Sequence, residues 1–285
     1  MELSILITMK TIWERNILWL CVWLLSSLTF GCEEVIDLEL RESEPRLVVE
    51  GYITTDTIPW RVRLTRTQEY YSDHQNSGEA GALVVISDSL MGIRDTLLYR
   101  QNGYYQSNSF RSGIPGNRYN LYVRTADGQE YHSSDYMPTL LGVDSVKFVY
   151  LDDGIFGIGK GGYYLHISAQ EPPEIGNAYR FVFYHNDTLQ REPFEYLSDD
   201  DRFINGQYLD GIRTIFKADL GESYLFELYS INHHQLHYYR QLAEQLSRDG
   251  GPFDPPPVNV PTNISNNALG YFMVTAVSRK QGVVE

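Results

Sequence analysis

Cysteine is almost missing from this chain: there are two in 285 residues, Cys21 and Cys32, and none after position 32. The folded part therefore has no thiol for a disulfide, a nucleophile or a sulfur-bound metal. Basic residues are also scarce, 23 Lys and Arg against 37 Asp and Glu, for a net charge of −14. An acidic surface repels phosphates and anionic headgroups, which argues against nucleic-acid binding and against a basic peripheral membrane patch. Long apolar runs are lacking too, because Ile17 to Phe30 falls short of the about 20 residues that cross a bilayer. There is no Gly-x-Ser-x-Gly elbow, and the many scattered carboxylates offer no acid/base pair by spacing, so no catalytic residue and no cofactor is assigned. Gly154, Gly159 and Lys160 have P-loop spacing. However, Gly161 stands where a Mg²⁺-binding hydroxyl is needed, and Tyr163 to Ile167 reads as strand rather than helix, so a hairpin loop is expected.

What is present begins with an address. Lys10 and Arg15 make a basic n-region ahead of the apolar run, and Leu28-Thr29-Phe30-Gly31-Cys32 resembles a bacterial lipobox. Residues 1–31 are then a signal peptide, with Met9 as the natural start because residues 1–8 carry Glu2 and no base. The competing reading is an anchor that is never cleaved. In the lipobox reading Cys32 becomes the first residue and carries two or three acyl chains, enough for stable attachment to a lipid bilayer, where one chain gives only reversible binding. Glu33 and Glu34 resemble the surface-export signal of Bacteroidota lipoproteins, or else serve as an acidic tether. Loss of residues 1–31 removes two acids and two bases, so the charge stays at −14, and the remaining 254 residues suffice for one large or two small domains.

Strand patterns dominate. Residues 32–44 are expected to be a lipidated tether and first strand, since Ile36, Leu38 and Leu40 alternate with acids. Leu47 to Thr54, Arg61 to Thr67 and Ala82 to Asp88 read as further strands, with turn-prone residues between the first two and a loop over 68–81. The Pro115-Gly116 turn followed by Tyr119, Leu121 and Val123 resembles the tyrosine corner of immunoglobulin-like and fibronectin-type sandwiches. Ala126 to Gln129 is a hairpin turn. Gly-x-x-Tyr-x-apolar recurs at Gly176 and Gly221 without a fixed period. One helix is expected near 233–248, capped by Asn232, with Leu236, Tyr239, Leu242, Ala243 and Leu246 on one stripe and Gly250-Gly251-Pro252 ending it. Ala268 to Val277 is a closing strand. The class is mainly β: an immunoglobulin/fibronectin-like sandwich over 45–139, a boundary near Met137 to Gly142, and a second β-rich domain over 140–285 that carries the helix.

Candidate sites are few. His233 and His237 have the i, i+4 spacing of metal ligands, but no third ligand is identifiable, and a solvated helix face is expected. Asp199-Asp200-Asp201 can offer oxygen ligands to Ca²⁺ yet misses the EF-hand spacing, so no metal site is assigned. Asp-Ser/Thr-apolar triplets place Thr57, Ser89, Thr96, Ser145 and Thr188 in a pattern that resembles the O-glycosylation acceptors of exported Bacteroidota proteins, although turn chemistry before strands yields the same triplets. Among 22 tyrosines, Tyr70, Tyr71, Tyr104 and Tyr105 lie beside expected loops and are candidates for stacking on a ligand.

Cys32-Glu33-Glu34, Leu47-Val48-Val49-Glu50-Gly51, Gly81-Ala82-x-Val84, Gly116-x-x-Tyr119, Pro256-Pro257-Val258-Asn259-Val260, Asn263-Ile264 and Gly270-Tyr271-Phe272 together resemble the Bacteroidota lipoprotein family labelled domain of unknown function 4249. The resemblance implies an outer-membrane lipoprotein displayed on the cell surface. It also implies a non-enzymatic accessory or ligand-capture role beside a TonB-dependent outer-membrane receptor; it transfers no catalytic residue. An envelope or adhesion scaffold is the alternative, and a surface glycan or peptide hydrolase a third.

Overall fold

A computed structural model describes residues 44–68, 78–154, 160–191, 196–248, 251, 256 and 258–285. Cys32, Glu33, Glu34, the 35–40 strand and Tyr70 and Tyr71 lie outside them. The expected strands that fall within the described residues are present, and others join them. The first seven are β1 (Leu47–Thr54), β2 (Ile58–Arg66), β3 (Leu83–Asp88), β4 (Ile93–Tyr99), β5 (Tyr104–Arg111), β6 (Arg118–Arg124) and β7 (Glu130–Tyr136). They form two layers, β1-β2-β5 and β4-β3-β6-β7, joined by a two-pair contact between β4 and β5. Every second residue points inward, as period-2 alternation requires. Val49, Val62 and Leu64 of one layer meet Val84, Ile86 and Leu121 of the other in one core. This is an immunoglobulin/fibronectin-like β-sandwich.

The tyrosine corner takes the geometry its sequence promised. The Tyr119 ring is buried at 1% exposure, edge-on to Trp60 at 5.6 Å, and its hydroxyl accepts a 2.8 Å hydrogen bond from the Ile114 N–H. That bond satisfies a backbone donor where the chain turns into β6.

The second half adds β8 (Val143–Leu151), β9 (Gly162–Gln170), β10 (Ala178–His185), β11 (Thr188–Leu189), β12 (Ser198–Asp200), β13 (Tyr208–Lys217), β14 (Ser223–Ile231), α1 (His233–Leu246) and β15 (Leu269–Val283). The stretch near 137–142 separates β7 from β8. The last strand nevertheless returns to the first sheet: β15 runs parallel to β1 and antiparallel to β14. Residues 44–285 thus form one compact unit, threaded by a sheet in the order β11-β10-β14-β15-β1-β2-β5-β4-β3-β6-β7. The β1–β15 approach is close. A Cβ on Gly270, whose φ is +86°, would lie 2.1 Å from the Val49 carbonyl oxygen, so only glycine fits.

One face of the β10-β14 sheet packs on a separate three-stranded sheet, β13-β9-β8, through Leu165, Ile167, Phe183, Phe216, Phe226 and Leu228. The opposite face, with Ile231 and Met273, is covered by Leu236 and Tyr239 of α1. The expected helical stripe is only half right. Leu246 is 61% exposed, while Gln235, a polar residue outside the stripe, is completely buried. Asn232 and Gln235, both buried, form a capping box in which each side chain bonds the other's backbone N–H, so two of the donors at the start of α1 are satisfied reciprocally.

Candidate functional site

Strand alternation sorts the tyrosine candidates. Tyr104 and Tyr105 are consecutive in β5 and must face opposite sides of the sheet. Tyr105 points inward at 1% exposure; its hydroxyl donates to the Glu79 carbonyl at 2.9 Å and accepts from the Ala82 N–H at 3.0 Å. It is a core residue, not the ligand platform its neighbourhood suggested. Tyr104 faces outward, with the Arg61 and Arg63 guanidiniums 5.2 and 5.3 Å from its ring centre.

The outer face that carries Tyr104 leads to a groove. Register sets Glu50 opposite Arg63 and Tyr52 opposite Arg61, and continues from Arg63 to Tyr104. On the other side of β1, β15 contributes Leu269 and Tyr271, and α1 stands over them. Between helix and sheet lies a cavity of about 430 Å³ lined by Glu50, Tyr52, Tyr238, Gln245, Asn259 and Tyr271, among others. The Tyr238 and Tyr271 rings meet at 4.8 Å, and Tyr52 is 52% exposed. Behind them the Arg180 guanidinium sits 4.6 Å from the centre of the buried Tyr239 ring, which stiffens the wall.

The groove's polar groups suit binding. Burial, followed by repulsion from neighbouring Tyr239 and Tyr196, pushes the Tyr238 hydroxyl up to about 12, and burial also raises that of Tyr271. These phenols stay neutral near pH 7, as hydrogen-bonding and stacking groups. Gln245 Oε1 accepts from the Val258 N–H at 3.0 Å, while its buried Nε2 has no hydrogen-bond partner among the described residues. A buried amide donor without a partner costs about 1–3 kcal/mol, a cost that a ligand oxygen in the groove would remove.

Residues 33–281 match the sequence model of the family described as "Domain of unknown function (DUF4249)". The chain belongs to this family. A comparison of this DUF4249 protein with curated proteins finds no match. Among solved structures, a two-domain fibronectin type-III segment from chicken tenascin is similar at 10% identity, over 66% of this chain and 91% of that one, with a TM-score of 0.22. The fold assignment rests on the strand order and register given above.

The remaining candidates in this DUF4249 protein fall outside the groove. His233 and His237 are exposed on α1, and among the described residues no three His, Cys, Asp or Glu side chains converge as metal ligands. The Asp199–Asp201 carboxylates are used within the chain. Asp199 and Asp200 bond Arg240, Asp200 also bonds Arg202, and buried Asp201 accepts from the Gly176 and Asn177 N–H groups. Gly154 and Lys160 flank a β8–β9 hairpin in which Leu151 pairs with Gly162; the residues between them lie outside the described ones. Thr57, Ser89, Thr96 and Thr188 are exposed and Ser145 is half-buried, so the acceptor hydroxyls are spread over the surface.

Sequence reasoning missed Tyr52, Tyr238, Gln245 and Tyr271 as a group, because strands 219 residues apart in sequence bring Tyr52 and Tyr271 together. It also missed Asp135. This buried carboxylate accepts from Asn232 Nδ2 at 2.5 Å, Gln235 Nε2 at 2.6 Å and the Val274 N–H at 3.3 Å. The alternation of Tyr131, Ser133 and Asp135 in β7 was the available signal, since it places an acid on an inward face.

Proposed function

We propose that this chain is a lipid-anchored outer-membrane protein, held by Cys32 and displayed at the cell surface, that captures a ligand for a TonB-dependent transporter without chemical turnover. The observation that carries the capture role is the groove of Tyr52, Tyr238 and Tyr271 with the partnerless Gln245 Nε2. Stacking faces and one unmet donor on rigid elements suit recognition. Phenols raised well above neutrality neither give nor take protons at pH 7, which favours binding over acid/base work.

A second feature supports a role in docking. Ile175 is 90% exposed and Phe203 is 88% exposed, on two loops clamped to one another. Asp201 holds the first loop through Gly176 and Asn177, while buried Glu171 accepts from the Gly206 N–H, Asn177 Nδ2 and the Tyr179 hydroxyl. Large apolar side chains presented on so fixed a mount suit contact with another protein, and on their own they also fit the alternative of an envelope scaffold.

The test is detergent extraction of native membranes, pull-down of the chain and mass spectrometry. Ligand capture for a transporter predicts a co-purifying β-barrel receptor and lost uptake of a nutrient on gene deletion. Envelope defects with uptake intact would reject it in favour of the scaffold.

A further inference from the structure

The other layer of the sandwich carries a separate platform. On its outer face, register sets Arg94, Ser87, Asn120 and Ser134 opposite one another across β4, β3, β6 and β7. The neighbouring row on the same face is Thr96, Val85, Tyr122 and His132. Residues directly opposite in a sheet have Cβ atoms about 5 Å apart, and rows two residues along are about 7 Å apart. A row of hydroxyl and amide groups ending in a guanidinium thus runs beside a row ending in two rings. Between this face and residues 262–265 lies a cleft of about 820 Å³.

The groups in it are fixed: Asn120 Nδ2 donates to Ser89 Oγ at 2.7 Å, and Ser134 Oγ accepts from Arg118 Nη1 at 3.3 Å. The Tyr122 ring is held by its hydroxyl, which donates to Glu130 Oε1 at 2.7 Å, and it meets the His132 ring at 5.2 Å. Arg94 has no ion pair among the described residues, as is also true of Arg61, Arg118 and Arg213, but it is the arginine that lines this cleft. A guanidinium without a carboxylate partner, set in a cleft beside hydroxyl, amide and ring groups, is available to an anion from outside.

We propose that this sheet face is a second binding site, for a carboxylate-bearing sugar. The carboxylate would pair with Arg94, as carboxylates do with the planar guanidinium fork. The ring hydroxyls would bond Ser87, Asn120 and Ser134, and the apolar C–H face would lie on Tyr122 and His132. A small bare anion would use the cation and leave the rings idle. A neutral sugar would use the rings and leave Arg94 unpaired.

Isothermal titration of the full chain in detergent with a digalacturonate probe, neutral digalactose and inorganic phosphate tests this. Digalacturonate is expected to bind about tenfold tighter than digalactose and to be lost about tenfold in Arg94→Ala, a difference well within one charge-assisted bond. His132→Ala is expected to weaken it about threefold, and Arg213→Ala, which removes an exposed charge on another sheet, to leave it unchanged. Equal affinity for digalactose, competition by phosphate at equal concentration, indifference to Arg94→Ala, or no binding of digalacturonate at all would each overturn the assignment.

Discussion

Gln235 Nε2 donates a 2.6 Å hydrogen bond to Asp135 Oδ2 across 100 residues of sequence, and both side chains are buried. The same amide also donates to the Val274 carbonyl at 3.1 Å, so one glutamine ties α1, β7 and β15 together. Removing either partner leaves buried groups unmatched. Asp135→Ala removes the acceptor that four donors share and is expected to cost about 3–5 kcal/mol; Gln235→Leu leaves the carboxylate short of one donor and should cost about 2 kcal/mol. Urea unfolding of both variants checks the order, and an Asp135→Ala protein as stable as the parent would contradict the knot.

The same carboxylate gives stability a pH dependence of known sign. Burial raises the Asp135 pKa above the ordinary carboxylate value, against the opposing hydrogen bonds from Gln235, Tyr136, Asn232 and Val274. The folded state therefore holds this proton more tightly than the unfolded chain. The resulting contribution is complete below the unfolded pKa of about 3.9 and fades as pH climbs through the higher folded value. Asp56 and Asp88 act in the opposite sense: the net effect of their hydrogen bonds outweighs burial and lowers their pKa, so their contribution is lost as pH falls. Comparing pH–stability curves of the parent and Asp135→Asn isolates the first effect. The variant curve should lack the decline that begins just above pH 4, and superimposable curves would refute the assignment.

Tyr119→Phe keeps the buried ring and deletes the bond to the Ile114 N–H. The expected loss is about 1–2 kcal/mol, with the urea m-value unchanged because the buried area stays the same. An unaltered midpoint would mean that the corner contributes nothing.

Adjacent residues of β5 should behave very differently. Tyr105→Ala empties a core position and is expected to cost about 3–5 kcal/mol. Tyr104→Ala removes an outward ring lying between two arginines and should cost less than about 1 kcal/mol. Comparable losses at both positions would show the register to be wrong by one residue.

Cys32→Ala bears on the address. Cell fractionation should move the variant from the membrane pellet to the soluble fraction, because the acyl chains proposed at this thiol are the attachment. Retention in the pellet at the parent's level would defeat lipid anchoring at this thiol.

Many of the strands, the helix with its Asn232 cap and the Tyr119 corner were readable in the sequence, because each depends on neighbours within about ten residues: period-2 alternation, a cap one residue ahead of its helix, a turn three to four residues before its tyrosine. Tyr105 was misplaced for want of one fact, the side of β5 that faces the core, which hydrophobicity in a run of Tyr, Gln and Ser does not reveal. The composition and spacing also settled that the folded part has no thiol chemistry and an acidic surface. Only the tertiary structure decided that β15 returns to lie against β1, and that return decided the rest. It sets Tyr52 beside Tyr271, buries Asp135 under Gln235 and fuses the two halves into one sheet, since hydrogen bonds between strands more than 200 residues apart in sequence leave no periodic trace in either one.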